Sequence, residues 1–227
     1  MAIPKLEVPT YELTIPSSGK KIRYRPFLVK EHKTLLMVSQ GTDEEATRII
    51  EEIVDVCTFG KLNIASMPDF DLEYIFMHLR AKALGESLDL IVNCKSCGAK
   101  VDFSIDLAKV NIKRSEKHSN KFLINDSIGV EMRYPKYQKD HTIQDSFERA
   151  LNCVKAIWTS DGQYHEVTTD DIDELAEFLN SMSFEQFNKI KQFFETMPKL
   201  THLHNVECPS CKTINAVKVE GLINFFV

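Results

Sequence analysis

The 227-residue chain is 43% hydrophobic and 27% charged, enough apolar content for a sizeable core under a soluble surface, as one large domain or two small ones. Its formal charge of -5 speaks against a dedicated DNA- or RNA-binding protein, which would carry a basic surplus. No apolar run approaches the roughly 20 residues needed to cross a bilayer, and the first seven residues lack the charged and apolar regions of a signal peptide. The chain is therefore expected to remain in a reducing cytosol, where its six cysteines act as thiols or metal ligands rather than disulfides.

Residues 8 to 27 read as a β-hairpin: Tyr11, Leu13 and Ile15 alternate with polar residues, Pro16-Ser17-Ser18-Gly19 supplies a turn, and Ile22 and Tyr24 resume the period of two. A short helix is predicted from about Lys30 to Gln40, stopped by Gly41. In the next, Thr42 and Glu45 form a capping box ahead of the apolar stripe Ala46, Ile49, Ile50, Ile53, Val54 and Cys57. A third follows Pro68, with Leu72, Ile75, Phe76, Leu79 and Ala83 on one face and Gly85 as its stop. The acids Asp69, Asp71 and Glu73 fit that helix's first turn, where the macrodipole favours them.

The pattern then changes to short strands, Leu88–Asn93, Lys100–Ile105 and Ile128–Tyr134, with the polar stretch Lys113–Asn120 as a loop. Helices return: one capped by Thr142 and carrying Phe147, Ala150, Leu151, Val154, Ile157 and Trp158, one opened by Thr168 or Thr169 with Ile172, Leu175, Leu179 and Met182, and one opened by a Ser183/Gln186 capping box with Phe187, Ile190, Phe194 and Met197. Strand-like residues close the chain.

Two segments resemble each other: Val92-Asn93-Cys94-Lys95-Ser96-Cys97-Gly98 and Val206-Glu207-Cys208-Pro209-Ser210-Cys211-Lys212. Each follows one strand-like stretch and leads into another, Val101–Ile105 and Ile214–Val219. That is the pattern of a zinc ribbon, in which two turns present paired thiolates to one tetrahedral ion. Cys94, Cys97, Cys208 and Cys211 are thus the expected ligands of about one structural zinc per chain, with no coordination position left for catalytic water. Lys95, Lys100 and Lys212 are placed to offset the negative charge of four thiolates. His202 and His204 stand near enough in sequence to replace a cysteine as ligand. Closing the long loop between the pairs costs on the order of 4 kcal/mol, against roughly 10–16 kcal/mol from structural zinc in small peptides. A segment that folds with its ends together would lower that cost, leaving the zinc to staple rather than nucleate. Two independent thiol pairs and a thiol oxidoreductase are the alternatives, the latter needing a pair that opens a helix after a strand.

Cys57 and Cys153 fall on apolar helix faces as core residues, and no phosphate loop, dinucleotide fingerprint or nucleophile elbow is present. The hairpin carries Lys20, Lys21, Arg23 and Arg25, a locally basic edge on an acidic protein, and the chain closes on Leu222-Ile223-Asn224-Phe225-Phe226-Val227. Arg23, Arg25, Phe225 and Phe226 are the partner-binding candidates, the tail either closing its own core or docking on a neighbour.

The run Pro9-Thr10-Tyr11-Glu12-Leu13, then Lys20-Lys21-Ile22-Arg23-Tyr24-Arg25-Pro26-Phe27-Leu28-Val29-Lys30-Glu31 and Leu35-Leu36-Met37, resembles the baseplate hub subunit and hub-assembly proteins of T-even-like contractile-tailed phages. The similarity continues through Asp71-Leu72-Glu73-Tyr74 and Leu79-Arg80-Ala81-Lys82 to the first cysteine pair, over about the first 110 residues. It implies a non-enzymatic role in building the hub by contact with other hub proteins, in the host cytoplasm during assembly or in the tail itself.

The expectation is an α+β protein with an N-terminal hairpin-plus-helix region over 1-87, a split zinc ribbon with associated strands over 88-134 and 199-227, and a mostly helical insertion over 135-198. The expected function is structural or assembly work in a phage baseplate hub. A zinc-ribbon factor associated with nucleic acid is the rival; it would need a basic or aromatic face and would show a salt-dependent shift with DNA or RNA.

Overall fold

The structure, a computed structural model, describes residues 6–38, 42–136 and 145–220. These form an α+β protein of eleven strands and six helices, divided into two compact units: one from Met1–Lys113 with Lys199–Val227, the other Arg114–Pro198.

The discontinuous unit begins with the expected hairpin, β1 (Tyr11–Thr14) against β2 (Lys21–Tyr24), in the register Tyr11↔Tyr24. Helix α1 (Val29–Val38) follows; Gln40 and Gly41, its expected end and stop, lie outside the described residues. In α2 (Asp43–Cys57) the Thr42/Glu45 capping box is formed. Helix α3 (Asp69–Leu84) starts after Pro68 and ends at Gly85, whose φ of 109° is a conformation that favours glycine.

The sequence assigns α3 one apolar face, but the fold buries it on several sides. Phe70, Leu72, Ile75, Phe76 and Leu79 are buried as expected of a core helix, while Met77 and Ala81 join a separate apolar cluster with the following strands. Asp71 is buried too, beyond what a first-turn acid requires: it accepts hydrogen bonds from the backbone N–H and hydroxyl of Ser17 and so ties the hairpin turn to α3. Burial pushes its carboxyl above the ordinary aspartate value.

After α3 come β3 (Ser87–Asn93) and β4 (Lys100–Asp106), an antiparallel pair, then the short β5 (Asn111–Lys113). The chain re-enters this unit at β10 (Lys199–Glu207), which pairs with β11 (Ile214–Glu220) on one side and β5 on the other. Lys113 lies directly opposite Lys199 in that ladder. The inserted segment therefore leaves and returns at neighbouring positions, and strand pairing rather than a metal sets that closure. Leu88, Val101, Phe103 and Ile105 from one hairpin and Leu200, Val206 and Val219 from the other share one core with Met77 and Ala81.

The second unit, Arg114–Pro198, is built on the antiparallel sheet β6 (Lys121–Leu123), β7 (Ile128–Met132), β8 (Val154–Thr159) and β9 (Tyr164–Glu166), in that order. Among the described residues its helices are α4 (Ser146–Cys153), α5 (Ile172–Asn180) and α6 (Phe184–Thr196). The Ser183/Gln186 capping box is formed at α6, whereas Thr168 caps a 3-10 turn, Thr169–Asp171, that leads into α5 rather than α5 itself. The helix expected to run through Trp158 instead stops at Cys153, and Val154–Thr159 is a strand. Its cap is Asp145, whose carboxylate accepts the Phe147 N–H, and the expected cap Thr142 lies outside the described residues.

Core-facing Val130, Met132 and Val154 meet Leu175, Ile190 and Phe193 from the helices. On the opposite face of β7, Gly129 lies under Trp158 and Glu131 is buried at 5% exposure. Register shifts between Glu131 and Met132, leaving Lys155 as the extra residue of a β-bulge that turns its ammonium to within 2.8 Å of the Glu131 carboxylate. Lys121, at 2.9 Å, and the Tyr164 hydroxyl, at 3.0 Å, complete the cluster. Lys155 foremost, with these two, holds the Glu131 carboxyl down at about 2.

His118, expected in a polar loop, is buried in this unit. Its Nδ1 is 3.0 Å from the Thr196 hydroxyl and its Nε2 is 3.1 Å from the Tyr134 hydroxyl. The Thr196 hydroxyl donates to the Gln192 carbonyl, which leaves its oxygen to accept from Nδ1–H and makes Nε2 the acceptor for Tyr134. Among the described residues no helix is long and apolar enough to cross a membrane.

Candidate metal centre

Both cysteine pairs sit in tight turns between paired strands, and the turns are built alike. In the first, Asn93 pairs with Lys100, the Cys94 N–H donates to the Ala99 carbonyl at 2.8 Å, and the Gly98 N–H donates to the Cys94 carbonyl at 2.9 Å. In the second, Glu207 pairs with Ile214, the Cys208 N–H donates to the Thr213 carbonyl at 2.9 Å, and the Lys212 N–H donates to the Cys208 carbonyl at 2.9 Å. The residue after each second cysteine takes the left-handed conformation, Gly98 at φ 72° and Lys212 at φ 61°. A Cβ there costs about 1–2 kcal/mol.

That equivalence predicts opposite signs for two substitutions. Gly98→Ala meets no steric obstacle but must adopt positive φ, and is expected to lower stability by about 1 kcal/mol. Lys212→Gly relieves the same strain, loses only an exposed ion pair to Glu207, and should gain about 0.5 kcal/mol after the entropy of an added glycine is counted. Thermal melts of the two variants check this; a neutral Gly98→Ala would refute the conformational requirement.

The two turns bring Cys94, Cys97, Cys208 and Cys211 together, with all four sulfurs within 4.8 Å of one another. Cys94 Sγ is 3.6 Å from Cys211 Sγ, and Cys97 Sγ is 3.6 Å from Cys208 Sγ. A disulfide requires about 2.0 Å, whereas the edge of a tetrahedron with metal–sulfur bonds of about 2.3 Å is about 3.8 Å. The spacing thus suits four ligands of one ion, and the donor set suits a soft or borderline one. Cys94 and Cys208 are buried, Cys97 and Cys211 exposed.

The sulfurs differ in how readily they ionise. The backbone N–H groups of Cys97 and then Ser96 draw Cys94 down to about 6. The Ala99 N–H pulls Cys97 in the same direction, but the neighbouring Cys211 and Cys208 sulfurs outweigh it and push Cys97 up to about 12. Four crowded thiols cannot all surrender protons without a cation between them.

His202 and His204 are not part of this group. They stand two residues apart on β10 and stack, with His204 lying over Phe103 at 5.5 Å between centroids. The Lys212 ammonium is 3.4 Å from Glu207. Cys57 and Cys153 are buried in the cores, and burial pushes Cys57 up to about 11.

Sequence reading missed Asn215. It occupies an inward position of β11 that Val217 and Val219 continue, and it is 3% exposed. A polar amide in an apolar register was the signal available for it.

Of the partner-binding candidates, Arg23 is exposed and donates to the Thr10 hydroxyl at 3.1 Å. Arg25 turns inward instead: its guanidinium lies 2.9 Å from Glu31, which also accepts the Leu28 N–H at 2.7 Å. Burial would raise Glu31, but Arg25 and the Leu28 N–H outweigh it and hold the carboxyl below its ordinary value. The charge of Arg25 is therefore spent within the fold. Phe225 and Phe226 lie outside the described residues.

Fold and site together define a small α+β protein with a four-cysteine group able to hold a metal ion. The chain belongs to the T4 bacteriophage base plate protein family, whose model matches residues 8–227. That match reaches well past the first 110 residues that carry the resemblance in the sequence, across both cysteine turns. No curated protein and no solved structure matches the chain.

Proposed function

We propose that the protein is a non-enzymatic structural or assembly component of the phage baseplate hub, working by contacts with other hub proteins, and that Cys94, Cys97, Cys208 and Cys211 hold one structural zinc. The family match over residues 8–227 carries the baseplate reading. The converging sulfurs support the metal, and zinc is the ion that four thiolates in a closed tetrahedron suit best.

Zinc in this role fixes the two cysteine turns to each other and supplies no open site for chemistry. Docking is assigned to the exposed hairpin edge of Lys20, Lys21 and Arg23, and to Phe225 and Phe226 of the tail. Arg25 supports that edge from inside through Glu31. Assembly takes place in the host cytoplasm, with the tail baseplate as the destination.

The test is recovery of hub proteins on the tagged chain from infected cells, with elemental analysis of the same preparation. About one zinc per chain and co-purification of baseplate proteins are expected. Charge reversal at Lys21 and Arg23 should slow association and change its salt dependence, whereas Phe225→Ser with Phe226→Ser should weaken retention. A folded protein that recovers no baseplate component would overturn the assembly reading, and one without metal would overturn the zinc.

A further inference from the structure

The geometry points to Asn215 as the residue that joins the two cysteine turns into a single preformed site and sets how tightly that site holds its metal. The inference rests on the metal reading above and deepens it. Asn215 belongs to the second hairpin, yet its side chain reaches the first. The Lys95 N–H lies 3.0 Å from Asn215 Oδ1, the Thr213 carbonyl lies 3.1 Å from Nδ2, and Cys94 Sγ lies 3.6 Å from the same nitrogen.

The chemistry fixes which way the amide points. A backbone N–H can only donate, so the atom facing Lys95 must be the oxygen. The NH2 then faces a carbonyl and a sulfur, both acceptors, and both of its protons are used. One amide thus holds the backbone of the first turn, the backbone of the second, and a ligand sulfur. The bond to Cys94 Sγ is buried and the other two are partly buried; in such a place a hydrogen bond to an ionised sulfur is stronger than one between neutral partners.

This arrangement does two things that the cysteines do not. The bonds to Lys95 and Thr213 require no metal, so they hold the sulfurs near their bound spacing in advance. The bond to Cys94 Sγ selects the sulfur's ligating orientation and stabilises its negative charge. Groups that orient ligands in this way typically change metal affinity about 10–100-fold when removed.

Three full-length proteins test it: wild type, Asn215→Ala and Asn215→Asp. Each is titrated with cobalt(II), whose visible bands report tetrahedral thiolate coordination, and zinc affinity is measured by competition with a chelator at pH 7.5. Asn215→Ala is expected to lose about 10–100-fold in affinity. Asn215→Asp keeps the shape and the acceptor for Lys95, but turns a second oxygen onto Cys94 Sγ and the Thr213 carbonyl. It should therefore bind more weakly than Asn215→Ala and show altered cobalt bands. A residue that merely fills space gives the reverse order, with Asp near wild type, and that order would overturn the inference. Should the Asp protein not fold, Asn215→Leu replaces it: loss comparable to Ala is expected, and wild-type affinity in this volume-filling variant would refute the donor role. Wild type that binds neither metal would instead refute the metal reading itself, so the two failures are distinguishable.

Discussion

Cys208→Ser is expected to abolish stoichiometric zinc and to destabilise the unit that carries the cysteine turns by about 4 kcal/mol or more, the scale of losing a structural metal. Cys208 is fully buried, and its Sγ is 3.6 Å from Cys97 Sγ. A serine there leaves an oxygen too short and too weakly acidic to complete the tetrahedron. The three remaining sulfurs then crowd without a cation, and Cys97 already resists ionisation beside its neighbours. The ladder β5–β10 survives the change, because Lys113, Ile112 and Asn111 pair with Lys199, Leu200 and Thr201 independently of the metal. That pairing already brings the ends of the inserted segment together, so the loss is smaller than the roughly 10–16 kcal/mol reported by metal-folded peptides. Cys57→Ser is the control: a buried thiol on α2, remote in sequence from both turns, whose replacement costs about 1–3 kcal/mol while zinc is retained. Elemental analysis and melting curves with and without chelator separate the two. Retention of zinc by both variants with equal melting would show that ligand and core cysteines have been wrongly divided.

The parts of this fold legible in the sequence are those whose cause is local. The capping boxes Thr42/Glu45 and Ser183/Gln186 form because hydroxyl, acid or amide, and orphan N–H groups lie within one turn. The cysteine turns were legible for the same reason, each being a six-residue unit between strands. Val154–Thr159 was not. Its apolar residues Val154, Ile157 and Trp158 continue the helical spacing of Phe147, Ala150 and Leu151, so period alone favoured a longer helix. What decides for a strand is β7, more than twenty residues earlier in the chain, whose Val130 and Gly129 accept Ile157 and Trp158 as cross-strand partners. The β-branched and aromatic content of that segment pointed the same way. Glu131 and Asn215 were hidden for a related reason. Each looks like an ordinary polar residue until a β-bulge or a second hairpin supplies the groups that satisfy it.

Gly129→Ala is expected to be the most damaging single methyl in the inserted unit, costing about 3 kcal/mol, at the upper end of the usual range for overpacking. A Cβ on Gly129 would overlap the indole of Trp158, its cross-strand partner, far inside van der Waals contact with two ring carbons. Neither side gives easily. Gly129 lies between Ile128 and Val130, whose pairing with Thr159 and Ile157 pins the strand, and Trp158 is held between β7 and β9 by its pairing with Gly129 and Tyr164. The indole must therefore leave its rotamer or the two strands must part. Trp158 is the chain's single tryptophan, so its fluorescence reports the displacement directly as a shifted emission maximum at temperatures below the melt. The four-cysteine group should be undisturbed, since Gly129 and Trp158 belong to the other unit. A double-mutant cycle gives the sharper test. Trp158→Ala removes the obstacle, so Gly129→Ala in that background should cost little, and the two substitutions should be non-additive by about 2 kcal/mol. Additivity within about 0.5 kcal/mol, with unshifted emission, would mean that the glycine answers to something other than the indole above it.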